Sequence, residues 1–168
     1  MPTNDSAKIT PKLHLVNMTA EEAQSISRWT YPAPYDCYRW PEWGEMLREE
    51  REFADPHIRE AQYQSVHDDS HTLVGYIQLF PLDRAIRIGL GLRPDCCNQG
   101  WGAALTRLAI DEALRRQPHA EIDLEVEEWN KRAIRTYEKA GFTITDQYTK
   151  RAMHGDVALF CMVYGISR

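Results

Sequence analysis

Eight consecutive residues, Cys97-Asn98-Gln99-Gly100-Trp101-Gly102-Ala103-Ala104, lie where strand-like patterning gives way to helix-like patterning. Glycine lets a backbone approach a ligand closely, and a helix N-terminus leaves N–H groups pointing outward. Together they suit an anion such as a pyrophosphate. Two familiar phosphate motifs fail here. Leu105 stands where the dinucleotide fingerprint needs its third glycine, and the chain has no Gly-Lys-Ser/Thr for a P-loop. On this segment alone a ligand-free strand-to-helix turn explains the glycines equally well. Further on, Leu124-Glu125-Val126 precedes Asn130, Ala133, Tyr137 and Gly141-Phe142. Taken by itself, Tyr137 also fits an ordinary amphipathic core position.

Other reactive side chains carry less. His67-Asp68-Asp69-Ser70-His71 has metal-ligand composition, but its Asp-Asp-Ser centre reads as a hairpin loop. The four cysteines, at 37, 96, 97 and 161, match neither a disulfide framework nor a zinc site. Adjacent Cys96 and Cys97 could bridge only under strain. No glycine elbow marks a cysteine nucleophile, so core cysteines are expected. No metal is expected.

The elements that must position these residues follow from periodicity. A first strand is expected over 12–18. Thr19 with Glu22 three residues later gives a capping box for a helix running to about Trp29. Pro32 and Pro34 keep the next stretch extended. A second helix from near Pro41 carries Trp43, Met46, Leu47 and Phe53 at helical spacing. Strands at 61–66 and 72–80 flank the Asp68-Asp69-Ser70 turn, and another covers 85–92. A helix over 100–116, a strand over 121–127 and a helix over 131–139 closed by Gly141 come next. Strands at 143–150 and 157–164 end the chain. One β-α-β unit among hairpins predicts a mixed α/β sheet with helices on both faces.

Size and charge bound the answer. At 168 residues the chain makes one ordinary domain, expected over 12–168 after a loose leader at 1–11. Its 43% apolar and 27% charged content fits a folded globular protein. A net charge of −5 gives no broad nucleic-acid footprint, and no apolar run approaches a membrane span. The first residues lack the layout of a signal peptide, and a cytoplasmic location with reduced thiols is expected.

Taken together, the two segments resemble the GNAT superfamily of acyl-CoA-dependent N-acyltransferases. Its members carry Arg/Gln-x-x-Gly-x-Gly/Ala after a strand, then a strand, an Asn, a helix with a Tyr, and Gly-Phe. The resemblance covers roughly residues 12 to 165 and is strongest from 86 to 142. It implies a single-domain, mixed but largely antiparallel sheet of about seven strands. Aligned from Pro94, the family's Arg/Gln position is Cys97; in a second register it is Gln99. The first keeps the spacing to Leu105.

The resemblance also implies roles. The strand before the turn would splay from its neighbour, and Leu90 and Leu92 would pair with the pantetheine arm of acetyl-CoA. The N–H near Leu92 would polarise the thioester carbonyl. Cys97, at the family's Arg/Gln position, would border the cofactor, and the pyrophosphate would rest on the N–H groups of Asn98, Gln99, Gly100, Trp101, Gly102 and Ala103. Asn130 would reach the cofactor arm, and Tyr137 would sit near the sulfur, as general acid or as hydrogen-bond donor. With ordinary pKa values, complete transfer from a phenol to a thiolate is uphill by about 2 kcal/mol. No Asp or Glu lies on the 85–92 strand, so the general base stays open among Glu125, Glu127 and Asp95. Six aromatic residues fall between 29 and 43, among them Tyr31, Tyr35 and Tyr38. They would either wall a pocket for a cationic amine or pack a helical layer onto the sheet.

The implied activity is transfer of an acetyl group from acetyl-CoA to a primary amine by direct attack in a ternary complex. The acceptor would be a small-molecule, peptide or protein amine, with no nucleic-acid or membrane partner. A sheet-edge homodimer is compatible with such a fold. A non-catalytic acyl-CoA sensor of the same fold is the alternative, and a domain binding another nucleotide is a further one.

Overall fold

The structure is a computed structural model that describes residues 10–152 and 155–166. Most of the expected leader therefore lies outside the described residues. Seven strands form one sheet: β1 (His14–Asn17), β2 (Tyr63–His67), β3 (Leu73–Pro81), β4 (Ala85–Leu92), β5 (Glu121–Glu127), β6 (Phe142–Ala152) and β7 (Gly155–Tyr164). Their order is β1-β2-β3-β4-β5-β7-β6. Every pair is antiparallel except β4–β5. The expected mixed, largely antiparallel sheet is the one observed. Its single parallel contact comes from the β-α-β unit, whose crossover helix is α4 (Trp101–Arg116).

Each face of the sheet has its own helical layer. On one, α4 and α5 (Lys131–Ala140) bring Leu105, Ala109, Ile110, Ala113 and Ile134 against Ile86, Ile88, Ile122, Leu124 and Val126. Alternate strand residues supply that layer, so Arg87, Asp123, Glu125 and Glu127 project from the opposite face. There, α1 (Ala20–Ser27), α2 (Trp43–Arg48) and a short helix bury Met18, Ala23, Ile26, Met46, Phe53 and Tyr63. Fully burying one such aliphatic or aromatic side chain contributes about 1.5–3 kcal/mol.

The capping box forms as expected. The Glu22 N–H donates to Thr19 Oγ1 at 3.1 Å, and Glu22 Oε1 accepts from the Thr19 N–H at 3.3 Å. The Asp68 carboxylate likewise makes the hairpin turn, accepting from the Ser70 and Thr72 N–H groups at 2.9 and 3.0 Å. His67 pairs with Glu22 at 2.6 Å and His14 with Asp69 at 2.7 Å.

Two expectations change. The second helix ends at Arg48 instead of carrying Phe53, because Glu50 and Glu52 take positive φ (50° and 49°). Phe53 still reaches the core, from a separate 3₁₀ turn. A further helix, α3 (Pro56–Gln62), occupies the start of what reads as a strand from residue 61. Its signal is the Asp55-Pro56 pair. Asp55 caps it, accepting from the His57 and Ile58 N–H groups at 2.7 and 3.0 Å, and Pro56 stands in its first turn.

Candidate active site

The sheet opens between its two parallel strands. β4 and β5 pair only at Ala85–Glu121, Ile86–Ile122 and Arg87–Asp123. Beyond them β4 stays paired with β3 through Leu92, and β5 with β7 through Glu127. From Ile88 and Leu124 onward the two strands therefore face each other across an unpaired gap. The Arg93 N–H donates to Val74 O at 2.8 Å, toward β3. Strand alternation then turns the N–H and C=O groups of Leu90 and Leu92 into the gap. Consistent with this, the Tyr31 hydroxyl donates to Leu92 O at 2.7 Å.

The gap has a tyrosine on each side. Tyr76 of β3 is the register partner of Gly91 on β4, and a Cβ at Gly91 would come within 2.1 Å of its ring. Only glycine lets that ring cover the strand. Burial pushes the Tyr76 hydroxyl up to about 12, although a hydrogen bond from Trp40 opposes the shift. Tyr137 packs edge-on against Phe142, 6.1 Å between ring centres, on the α5 side. Burial pushes it too up to about 12, and the Glu127 charge adds to the effect. Both phenols stay protonated throughout the neutral range.

β4 leads through a 3₁₀ turn (Pro94–Cys96) into the glycine segment. Asn98 and Gly100 take positive φ (61° and 80°), and α4 begins at Trp101 with no side-chain cap. Helix geometry leaves the N–H groups of Trp101, Gly102 and Ala103 without intrahelical partners. The Gln99 amide folds back onto Asp95 O at 2.7 Å, so it does not extend as a free polar arm. The Cys97 thiol lies 3.7 Å from Arg93 O; burial raises it, and the Arg132 charge partly offsets that. All four cysteines are free.

Asn130 caps α5. Its Oδ1 accepts from the Ala133 N–H at 3.1 Å, and its amide donates to the Tyr38 hydroxyl at 2.9 Å. That hydroxyl in turn donates to Glu127, the last residue of β5. Asn130 is thus engaged with the protein on both sides. Glu127 lies at the open end of the gap. The other two carboxylates weighed as bases have cationic partners. Burial would raise Glu125, but Lys150 at 2.7 Å, the Tyr148 hydroxyl at 2.5 Å and Arg87 at 3.0 Å outweigh it and hold it low. Asp95 is held low by Arg93, 2.6 Å away.

The aromatic segment divides. Trp40 and Trp43 pack on Phe53, and Trp29 on Tyr76, within the helical layer. Tyr31 reaches β4. Tyr35 and Tyr38 gather on Trp129, with ring centres 5.6 and 6.0 Å away. The outer face of Tyr35 already carries a cation, the Arg132 guanidinium at 4.0 Å. Sequence reasoning passed over Tyr76, Trp129 and Arg132. A Trp directly before Asn130 was one available signal; the covering of Gly91 had none, because it depends on strand register.

The profile of the Acetyltransferase (GNAT) family matches residues 21–142. No curated protein sequence matches the chain. Among solved structures, a chimera of the Vibrio cholerae spermidine N-acetyltransferase SpeG and hSSAT superposes with a TM-score of 0.71 at 17% identity, covering 90% of this chain and 95% of that one. The Escherichia coli ribosomal-protein-S18-alanine N-acetyltransferase gives 0.65 at 19%, covering 94% and 96%. A Bacillus anthracis GNAT-family acetyltransferase gives 0.71 at 16%, covering 92% and 95%. At these identities the structures establish the common fold, and the profile establishes descent: the chain belongs to the acetyltransferase (GNAT) family.

Proposed function

We propose that this protein transfers an acetyl group from acetyl-CoA to a primary amine, in the cytoplasm and by direct attack within a ternary complex. The observation that carries the proposal is the half-open β4–β5 pairing, which leaves the Leu90 and Leu92 backbone facing the gap on the strand that leads into the uncapped glycine turn. A chain bearing amides can add to β4 along that edge as a strand would. The residues present therefore fit the pantetheine arm, with the diphosphate on the N–H groups from Asn98 to Ala103.

Acetyl-CoA, when bound, supplies an activated thioester carbonyl. The Leu92 N–H donates to its oxygen as negative charge develops there. The neutral amine nitrogen forms the new C–N bond, the C–S bond breaks, and the electron pair leaves with sulfur. Glu127 accepts the proton that the nitrogen gives up and passes it to water. Glu125 and Asp95 are held low by their cationic partners and are not assigned this role. Tyr137 donates a hydrogen bond to the departing thiolate, which takes its proton from solvent. Tyr38 orients Glu127, and Tyr31, Tyr38 and Trp129 border the acceptor side.

The test has two stages. Acetyl-CoA, ATP and NAD are compared by thermal shift, and thiol release is then followed across a panel of amines that includes spermidine and a peptide with N-terminal alanine. A shift with acetyl-CoA followed by amine-dependent thiol release supports the reading. Stabilisation without thiol release for any amine would favour the acyl-CoA sensor. Stabilisation by ATP or NAD instead would overturn the reading. Glu127→Gln should lower kcat at least tenfold, with Asp95→Asn as the control near the wild-type rate.

A further inference from the structure

We infer that Arg132 is the cationic arm for the donor's diphosphate and that Tyr35 is the ring that holds it in place. This rests on the acyltransferase reading above and adds a residue to it. The glycine turn has a charge deficit of its own. Cys97 is a protonated thiol turned onto Arg93 O, and the Gln99 amide is folded onto Asp95 O. The cations that flank the segment are committed elsewhere, Arg93 to Asp95 and Arg107 to Asp111. Backbone N–H groups alone would face a dianionic diphosphate.

Arg132 comes to the turn from another element. It is the second residue of α5, and its Nη1 donates to Asn98 Oδ1 at 2.5 Å. Close packing of the helices makes this reach available: a Cβ at Gly102 would meet Thr136 Cγ2 at 3.6 Å. The guanidinium lies 4.0 Å over the Tyr35 ring, which in turn packs on Trp129. Among the described residues no carboxylate forms an ion pair with Arg132. A guanidinium held over a ring still has N–H donors beyond the one given to Asn98, and its planar fork suits a bidentate phosphate contact. Tyr35, expected as an acceptor wall, thereby becomes the support of a donor-binding residue. Asn98 holds the arm at the turn until an anion takes its place.

The test compares CoA with pantetheine, which shares the arm but has no phosphates, by calorimetry on the full chain. Arg132→Gln should weaken CoA about tenfold, the scale of losing a hydrogen bond to a charged group. The affinity for pantetheine should move less than twofold, and the salt dependence of CoA binding should flatten. Arg132→Lys should fall between, since charge survives without the fork or the stack. Tyr35→Leu should reproduce part of the CoA-specific loss, and Tyr35→Phe should not. Equal weakening of both ligands, or unchanged CoA affinity in Arg132→Gln, would overturn the inference alone. Wild-type protein that binds no CoA would overturn the acyltransferase reading with it.

Discussion

Replacing Tyr137 by Phe separates two ways a phenol can assist a departing thiolate. Burial and the nearby Glu127 charge push Tyr137 up to about 12. An ordinary thiol has a pKa near 8.5, so complete proton transfer would be uphill by about 5 kcal/mol. That cost is more than twice the value for unperturbed groups, and it favours a hydrogen bond over transfer. A hydrogen bond to a charged partner contributes about 1.5–3 kcal/mol. Tyr137→Phe should therefore lower kcat by roughly 10- to 150-fold. The assay is thiol release at saturating acetyl-CoA and amine, with CoA affinity measured separately by calorimetry and expected to move less than twofold. The rate of the wild-type enzyme should show no Tyr137 ionisation up to pH 10. Unchanged turnover in Tyr137→Phe would refute the placement of this residue. An alkaline limb with a pKa below 10 that disappears in the variant would refute the argument from burial.

Three further outcomes follow from packing and charge. Glu112 is held at about 2 by its hydrogen bonds to Arg115 and Arg116, against a partial burial penalty. Its folded pKa lies below its unfolded value, so its contribution is full above about pH 4.5 and is lost as pH falls toward 2. Discounted for the exposure of Arg115, that contribution is about 2 kcal/mol. Urea midpoints of wild type and Glu112→Gln should differ at pH 7 and converge at pH 2. The buried Ser65 hydroxyl has no partner among the described residues, so Ser65→Ala should raise stability by up to about 1 kcal/mol, read as a Tm increase of about 2–4 °C. Gly91→Ala would drive a Cβ to 2.1 Å from the Tyr76 ring, and it should cost about 1–3 kcal/mol by urea titration.

Local chemistry was legible in the sequence. Thr19 with Glu22, Asp68 in its turn, and Gly100 before α4 act through partners only a few residues away. The order of strands and helices followed from such signals and from apolar periodicity. The α3 helix was hidden because Ala61 to Val66 also alternates as a strand does, and its N-terminal signal, Asp55-Pro56, lies upstream of that stretch. The splay of β4 from β5 was anticipated only through the family resemblance, and its extent was not legible in the residues themselves. It depends on register between strands separated by a sixteen-residue helix, and no local pattern records it. The aromatic segment shows the same division. Its composition announced a cluster, but which rings enter the core and which face the gap depends on the path between cis-Pro34 and α2.

Where the sheet opens also bears on what the protein must avoid. Unpaired strand edges at the border of a sheet can recruit foreign strands and seed aggregation. At its true borders this sheet has a four-residue β1 and a β6 whose far end carries Lys150 and Arg151. Two further unpaired edges, residues 88–92 of β4 and 124–127 of β5, are internal and face each other, with α4 and α5 behind one face. With the pantetheine arm bound there as proposed, the opening would act as a sieve. An ordinary polypeptide strand would need room for side chains on both faces, and Tyr76 already covers β4 at Gly91. A slender amide-bearing chain without side chains could pass between the edges, whereas neighbouring proteins would be kept out.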